Sequence, residues 1–416
     1  MAPLILKFRE RKGKEDPLRR GERLGQASLQ RPEGPLAWIH AASVGETSAI
    51  LPLVERLSAR RPGLTILLTT GTVTSAQFAA ARLPAGALHQ YVPLDEPSFV
   101  GRFLEHWRPG LGIFTEQEVW PNLVLEASRR DIPLALVNAR MSDRSFERWQ
   151  RRPGISTALF ARFAVVLAQN EALARRFEQI GAFRAIAAGN LKIDAPPPPV
   201  DAQAFNELGA ALGNRPRLVA ASTHDTEELA IADAHKTLAS GVAGLVSIVA
   251  PRHPDRGPAI VAMIEAAGLR ARCRSRGELP DAETDIYVAD TIGELGTLYA
   301  TAPVAFVGGS LIPHGGQNPI EAVRHGAVVV TGPSIHNFSD AYAALLGAGG
   351  AVRVASAAEL PAALQALIAD PAATARMRNR ASTALEALSG ALDRTVATLM
   401  PYLPESSAVS SGIGRV

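Results

Sequence analysis

One cysteine, Cys273, stands in 416 residues. That excludes an internal disulfide framework and fits a reducing compartment. No Cys/His group has the spacing of a zinc site. No run of 18 apolar residues occurs, so no spanning helix is expected. No signal peptide is read either, because the apolar start MAPLIL is short and its basic residues follow it. Asp-x-Asp is absent, so a metal–diphosphate site of the common carboxylate type is not expected. The glycine-rich stretch at 305–322 carries neither a Walker Gly-Lys-Ser/Thr nor a G-x-G-x-x-G. Ser310 lacks the second glycine of a G-x-S-x-G nucleophile elbow.

What is present is globular: hydrophobic residues make up 47% and charged residues 20%, and the length predicts two domains with separate cores. Charge is unevenly placed. Residues 1–31 hold nine Lys/Arg against four Asp/Glu, although the chain's net charge is only +3. Nucleic acid, anionic lipid and plain solvation all suit such an arm.

Apolar runs ending in small or polar turns recur along the chain. Leu36–His40, Leu64–Thr69, Leu111–Phe114, Pro133–Val137 and Ala164–Ala168 read as strands of the first half. Leu218–Ala221, Leu245–Ala250, Asp285–Val288, Val304–Val307 and Ala327–Thr331 read as strands of the second. Helical patterns alternate with them, which predicts parallel α/β sheets with helices on both faces. Pro196 to Pro199 form a stiff extended run and mark the domain boundary. The last helical stretch is read as Pro371–Leu399.

The chemistry-bearing residues lie past strand ends, where open α/β folds bind ligands. After the first strand, Ser43 or Gly45 caps a helix over Ala49–Arg60, with Glu46 near its start. Glu46 is either a helix-start acid favoured by the dipole or a carboxylate held at the sheet edge. Glu116 and Glu118 follow another strand and are either solvated or paired with Arg140 and Arg144. In the second half, Gly308, Gly309, Gly315 and Gly316 precede a helix with Asn318 as N-cap, Pro319 in the first turn and Glu321 at the third position. Glycine turns and a helix start can cradle a phosphate, and also occur as ordinary α/β punctuation. Arg252, after a buried strand, offers a planar fork for a phosphate. His224, His253, His314 and His336 fall in loops.

The motifs HAASVGE, TGT, EQEVWPN, NARMSDRS, GNLKID, ASTHDTEE, APRHPDR, DTIGELGTLY, GGSLIPHGGQNPIEA and GPSIHNF occur in this order. Together they closely resemble the 3-deoxy-D-manno-octulosonic acid (Kdo) transferases of lipopolysaccharide synthesis, over about Arg9 to Tyr402. The resemblance implies a GT-B glycosyltransferase: two Rossmann-like α/β/α domains facing across a cleft, with the C-terminal helix crossing back to the first. It implies a basic membrane-proximal segment at 1–31, an acceptor domain at 32–195 and a proline-rich linker at 196–204. A CMP-Kdo-binding domain at 205–385, a returning helix at 386–403 and a flexible tail at 404–416 complete that division.

The implied reaction is inverting transfer of Kdo from CMP-Kdo to a hydroxyl of the lipid A precursor (lipid IVA), at the cytoplasmic face of the inner membrane. Carried over residue by residue, Glu46 is the general base. Ser43, Glu118, Lys192, Ser222 and His224 lie at the substrates. Arg252, Gly293, Gly309, Ser310, Asn318 and Glu321 lie at CMP. No metal, no cofactor and no nucleic acid are implied. The sequence departs from the family pattern at its short apolar start and at Gln317, where GGHNPLE is usual. Alternatives from outside this reading are a UDP-sugar enzyme of the same fold, a catalytically silent lipid-binding relative, and a nucleic-acid binder resting on the basic arm alone.

Overall fold

The structure, a computed structural model, describes Leu6, Glu10 and residues 15–405. The chain divides into two compact units, Met1–Ala195 with Ser389–Val416, and Pro196–Leu388. Each is built on one all-parallel seven-stranded sheet.

The first sheet has β1 (Leu36–His40), β2 (Thr65–Thr70), β3 (Leu88–Tyr91), β4 (Leu111–Thr115), β5 (Leu134–Ala139), β6 (Phe163–Ala168) and β7 (Ala185–Ala187). Their order is β3-β2-β1-β4-β5-β6-β7. Alternation along β1 shows how the sheet makes two cores: Leu36 and Trp38 join one with Phe103, Trp107 and Phe114, while Ala37 and Ile39 join the other with Leu53, Leu57 and Leu68. Each such large apolar side chain contributes about 1.5–3 kcal/mol on burial.

The second sheet has β8 (Arg217–Thr223), β9 (Val246–Pro251), β10 (Ala271–Cys273), β11 (Ile286–Val288), β12 (Val304–Val307), β13 (Val328–Thr331) and β14 (Ala351–Arg353). The order is β10-β11-β9-β8-β12-β13-β14. Both sheets therefore reverse direction once, between β1 and β4 and between β8 and β12. At such a switch point the flanking loops diverge and leave a crevice at the carboxyl ends of the strands.

The ten expected strands are present, and four short ones, β3, β7, β10 and β14, were not read from the sequence. The final helical stretch is corrected: it is two helices, Pro371–Ala387 and Ala391–Leu399, separated at Leu388–Gly390. Gly390, the N-cap of the second helix, has φ +92°, a conformation that costs a glycine little. The helix Ala391–Leu399 belongs to the first unit. Asp194 accepts from the Gly390 and Leu392 N–H groups at 2.9 and 2.6 Å, and Ala391, Val396 and Leu399 enter the core beside Ile39. Among the described residues no helix is long and apolar enough to cross a membrane. The basic-segment reading falls partly on residues 1–5, 7–9 and 11–14, and the tail reading on 406–416, all outside the described residues.

Candidate active site

In the first unit, the β1/β4 switch point holds three carboxylates. Ser43 caps the helix Val44–Arg60, which begins earlier than the sequence suggests and makes Glu46 its third residue. The Ser43 hydroxyl donates to Glu46 Oε1 at 2.8 Å, and the Ala42 N–H donates to Oε2 at 2.9 Å. Thr115, the last residue of β4, places its hydroxyl 3.0 Å from Oε2. Ser43 and Ala42 thus fix the Glu46 carboxylate, and Thr115 shares its one hydroxyl proton between Oε2 and the His40 carbonyl, also 3.0 Å away. Burial, then the neighbouring Glu116 and Glu118, nevertheless push the Glu46 pKa above the usual carboxylate range, against the bonds from Ala42 and Ser43.

Glu116 turns the chain out of β4 with φ +50°, unusual for a residue with a side chain. Its Oε1 lies 2.5 Å from Lys192 Nζ, and its Oε2 lies 3.8 Å from Arg140 Nη1. Asn138, also at positive φ, donates to Glu116 Oε1 at 3.4 Å and accepts from the Leu191 N–H at 3.0 Å. That amide ties the β4 loop to the short helix Leu191–Asp194, which carries Lys192. Glu118 accepts from Trp120 Nε1 at 2.6 Å and lies 3.6 Å from His40 Nε2. Burial would raise the Glu118 pKa, but His40 and Trp120 outweigh it and hold the carboxyl below its usual range. Adjacent carboxylates are thereby pushed in opposite directions, the pattern by which sites divide acid and base roles.

In the second unit, His224 follows β8, Arg252 follows β9, and the glycine loop follows β12. The rings of His224 and His314 lie 4.4 Å apart and those of His224 and His253 lie 6.0 Å apart. The Gln317 amide nitrogen is 3.1 Å from His224 Nε2, an atom to which it can donate. Arg252 is exposed, and its side chain has no hydrogen-bond or ion-pair partner among the described residues. Asn318 caps the helix Pro319–Arg324 and donates from Nδ2 to Glu321 Oε1 at 3.0 Å. Burial pushes the Glu321 carboxyl up, opposed by that bond and by the charge of Arg252. Gly293 has φ +93° and faces open space.

The first half of the chain, residues 18–195, matches the family model of 3-deoxy-D-manno-octulosonic-acid transferase (kdotransferase). A 3-deoxy-D-manno-octulosonic acid transferase of Rickettsia bellii is 35% identical, covering 90% of this chain and 89% of that protein. One of Bordetella pertussis is 37% identical over 92% and 91% of the two chains. The chain belongs to the Kdo transferase family. A UDP-GlcNAc 2-epimerase from Neisseria meningitidis, 12% identical, superposes with a TM-score of 0.60 over 88% of this chain and all of that one, which shows a shared fold alone. The fold of this Kdo transferase is GT-B, two Rossmann-like units.

Most residues singled out in the sequence gather at the two switch points of this Kdo transferase: Ser43, Glu46, Glu118 and Lys192 at the first, and Ser222, His224, Arg252, Asn318 and Glu321 at the second. Gly309 and Ser310 are different. Their backbone N–H groups donate to the buried carboxylate of Glu227, at 2.7 and 3.0 Å, and Leu311 N–H and His224 N–H join them at 3.0 and 2.9 Å. The Ser310 side chain is fully buried, donating to Val307 O and accepting from Gly332 N–H. The anion in this glycine nest is the protein's own, so these two residues offer a phosphate no free donor.

Glu118 does not pair with Arg144; its neighbour is the buried ring of His40, 3.6 Å away. Sequence reasoning also missed Glu227, His40 and Thr115 as members of these clusters. Glu227 has the signal of a helix-start acid, and its partners lie more than eighty residues away.

Proposed function

We propose that this chain moves Kdo from CMP-Kdo to a hydroxyl of the lipid A precursor, with inversion and with Glu46 as general base. The observation carrying this reading is the Glu46 carboxylate, locked by Ser43, Ala42 and Thr115 at a switch point yet raised in pKa by burial and by Glu116 and Glu118. A base must be basic enough to take a proton and rigid enough to be in place when it does. Glu46 takes the proton from the acceptor hydroxyl as its oxygen bonds to the anomeric carbon. The bond from that carbon to the CMP phosphate breaks, and CMP leaves with the electron pair. Lys192 neutralises Glu116 and keeps the three-carboxylate cluster from repelling the acceptor.

On the donor side, Arg252 is the group available to meet the departing phosphate charge, with His224 and Gln317 beside it. Gly293 permits close backbone approach. Asn318 and Glu321 bind the ribose hydroxyls, to which an ionised carboxylate is a strong acceptor. Transfer is read as metal-independent, with Arg252 rather than a metal ion meeting the phosphate charge. Peripheral attachment at the cytoplasmic face of the inner membrane, through residues 1–25, completes the reading. Each Lys/Arg near anionic lipid adds about 1 kcal/mol there.

The test is product analysis by mass spectrometry after mixing the chain with preformed CMP-Kdo and a tetraacylated lipid A precursor in excess EDTA. A Kdo-bearing product at the metal-replete rate is expected. No product in EDTA, with recovery on adding magnesium, would remove metal independence; no product in either condition would remove the reaction.

A further inference from the structure

His40 ends β1 and is 1% exposed, with the Phe114 ring edge-on to its own. Its Nε2 is a buried polar atom without a hydrogen-bond partner among the described residues. An apolar ring in the same place would leave no such atom unpaired, and unpaired buried atoms are costly. The nitrogen is aimed at one group, the Glu118 carboxylate, whose Oε2 lies 3.6 Å away.

The hydrogen bonds behind the ring fix where its proton sits. Trp38 Nε1 can only donate, and it donates to Thr69 Oγ1 at 2.8 Å. The Thr69 hydroxyl therefore keeps its own proton to give. His40 Nδ1, at 3.1 Å, is nearer to it than the Ile39 carbonyl at 3.4 Å. With Nδ1 receiving that proton, the ring N–H is on Nε2 and faces Glu118. The other tautomer would bond Nδ1 to the Thr69 carbonyl, 3.2 Å away, and set the Nε2 lone pair against a carboxylate. Two acceptors would then face each other with no donor between them.

Glu118 has few other holds. Among the described residues its carboxylate otherwise bonds only to Trp120, whose side chain stands in a residue 47% exposed. His40 also reaches the neighbouring base, because its carbonyl and Glu46 Oε2 share the Thr115 hydroxyl proton. We infer that His40 is a positioning residue of the transfer reaction, whose Nε2–H donates to Glu118 and holds that carboxylate in place beside Glu46. The proposal rests on the transferase reading above and deepens it. At 3.6 Å the contact is longer than a hydrogen bond, and catalytic bonds that are long in the free enzyme tighten when substrate binds. Thr69 acts one step further back, by setting the tautomer.

The tautomer is read by long-range proton–nitrogen NMR of the full chain with isotope-labelled histidine at neutral pH. The His40 signals are those lost in His40→Gln. A proton on Nε2 is expected in the parent, and its transfer to Nδ1 is expected in Thr69→Val, which removes the hydroxyl. An Nε2 without a proton in the parent overturns the proposal.

In transfer assays His40→Phe keeps a ring but has no N–H, and kcat should fall at least about 10-fold with CMP affinity within about twofold. His40→Gln sets an amide N–H near the place of Nε2 and should recover kcat to within about threefold of the parent. Thr69→Val, with its ring proton on Nδ1, should lose kcat as His40→Phe does. A merely structural role would lower the melting temperature of all three variants and leave kcat per folded molecule unmoved. A parent-like kcat in His40→Phe or Thr69→Val, or a His40→Gln protein no better than His40→Phe, overturns the proposal and leaves the transferase reading standing. Absence of any transfer from CMP-Kdo by the parent defeats that reading and the proposal with it, whatever the spectrum shows.

Discussion

Replacing Glu227 by glutamine tests whether the glycine nest is filled by the protein itself. Oε1 accepts from the Ser310 and Leu311 N–H groups, and Oε2 from those of Gly309 and His224. An amide keeps one acceptor oxygen and turns the other into a donor facing two N–H groups. Two hydrogen bonds to a charged group are then lost, at about 1.5–3 kcal/mol each, or about 3–6 kcal/mol in all. Loop relaxation lowers this, and the donor–donor contact raises it. A loss of that size is a large part of the stability of one domain, about 5–15 kcal/mol. Urea unfolding should show it, and native-state hydrogen exchange should localise it to the amides of Gly309, Ser310 and Leu311. A Glu227→Gln protein within about 1 kcal/mol of the parent, with those amides still protected, would refute the reasoning. It would mean that a phosphate or solvent can replace the carboxylate at no cost.

Thr226 has φ +73°, a poor conformation for a β-branched residue, and Thr226→Gly should stabilise the chain by roughly 0.5–1 kcal/mol after glycine's own entropy cost; an unchanged or lowered urea midpoint counts against this. Glu46 must be ionised to act as base, and its pKa is raised, so kcat/KM should fall with falling pH above the usual carboxylate range. Removing a neighbouring negative charge eases ionisation, so this acid limb should move to lower pH in Glu118→Gln and in Glu116→Gln, and a limb that stays in place would detach it from Glu46. Glu321→Ala removes a half-buried acceptor on the donor side, and titration calorimetry should show CMP binding weakened by at least about 10-fold, with unaltered affinity excluding Glu321 from the nucleotide site.

Much of this site was legible because chemistry and local structure share the same short segments. SVGE carries both the Ser43 cap and Glu46. The inner strands are unbroken apolar runs, as strands buried on both faces must be. The four strands that escaped notice have only three or four residues, with polar or half-exposed positions such as His89 and Arg272, so they carry little periodic signal. The tail helix read as continuous because only backbone geometry at Gly390, set by Asp194, breaks it.

Partners distant in sequence were the other blind spot. Nothing local says that Glu118 meets His40 rather than Arg144, or that Glu227 fills the nest of Gly309 and Ser310. The latter case misleads because a glycine turn attracts any anion, and the sequence does not say whose.

Glu46→Gln tests the central claim most directly. The amide keeps the size of the side chain and one acceptor for the helix start but cannot take a proton. With saturating CMP-Kdo and acceptor, turnover should fall by at least about 10²-fold, while CMP affinity and melting temperature change little. If Glu46 only caps its helix, the variant loses about 0.3–1 kcal/mol of stability and keeps its turnover. Retention of most of the parent kcat would contradict the account and leave Glu118 as the carboxylate to test.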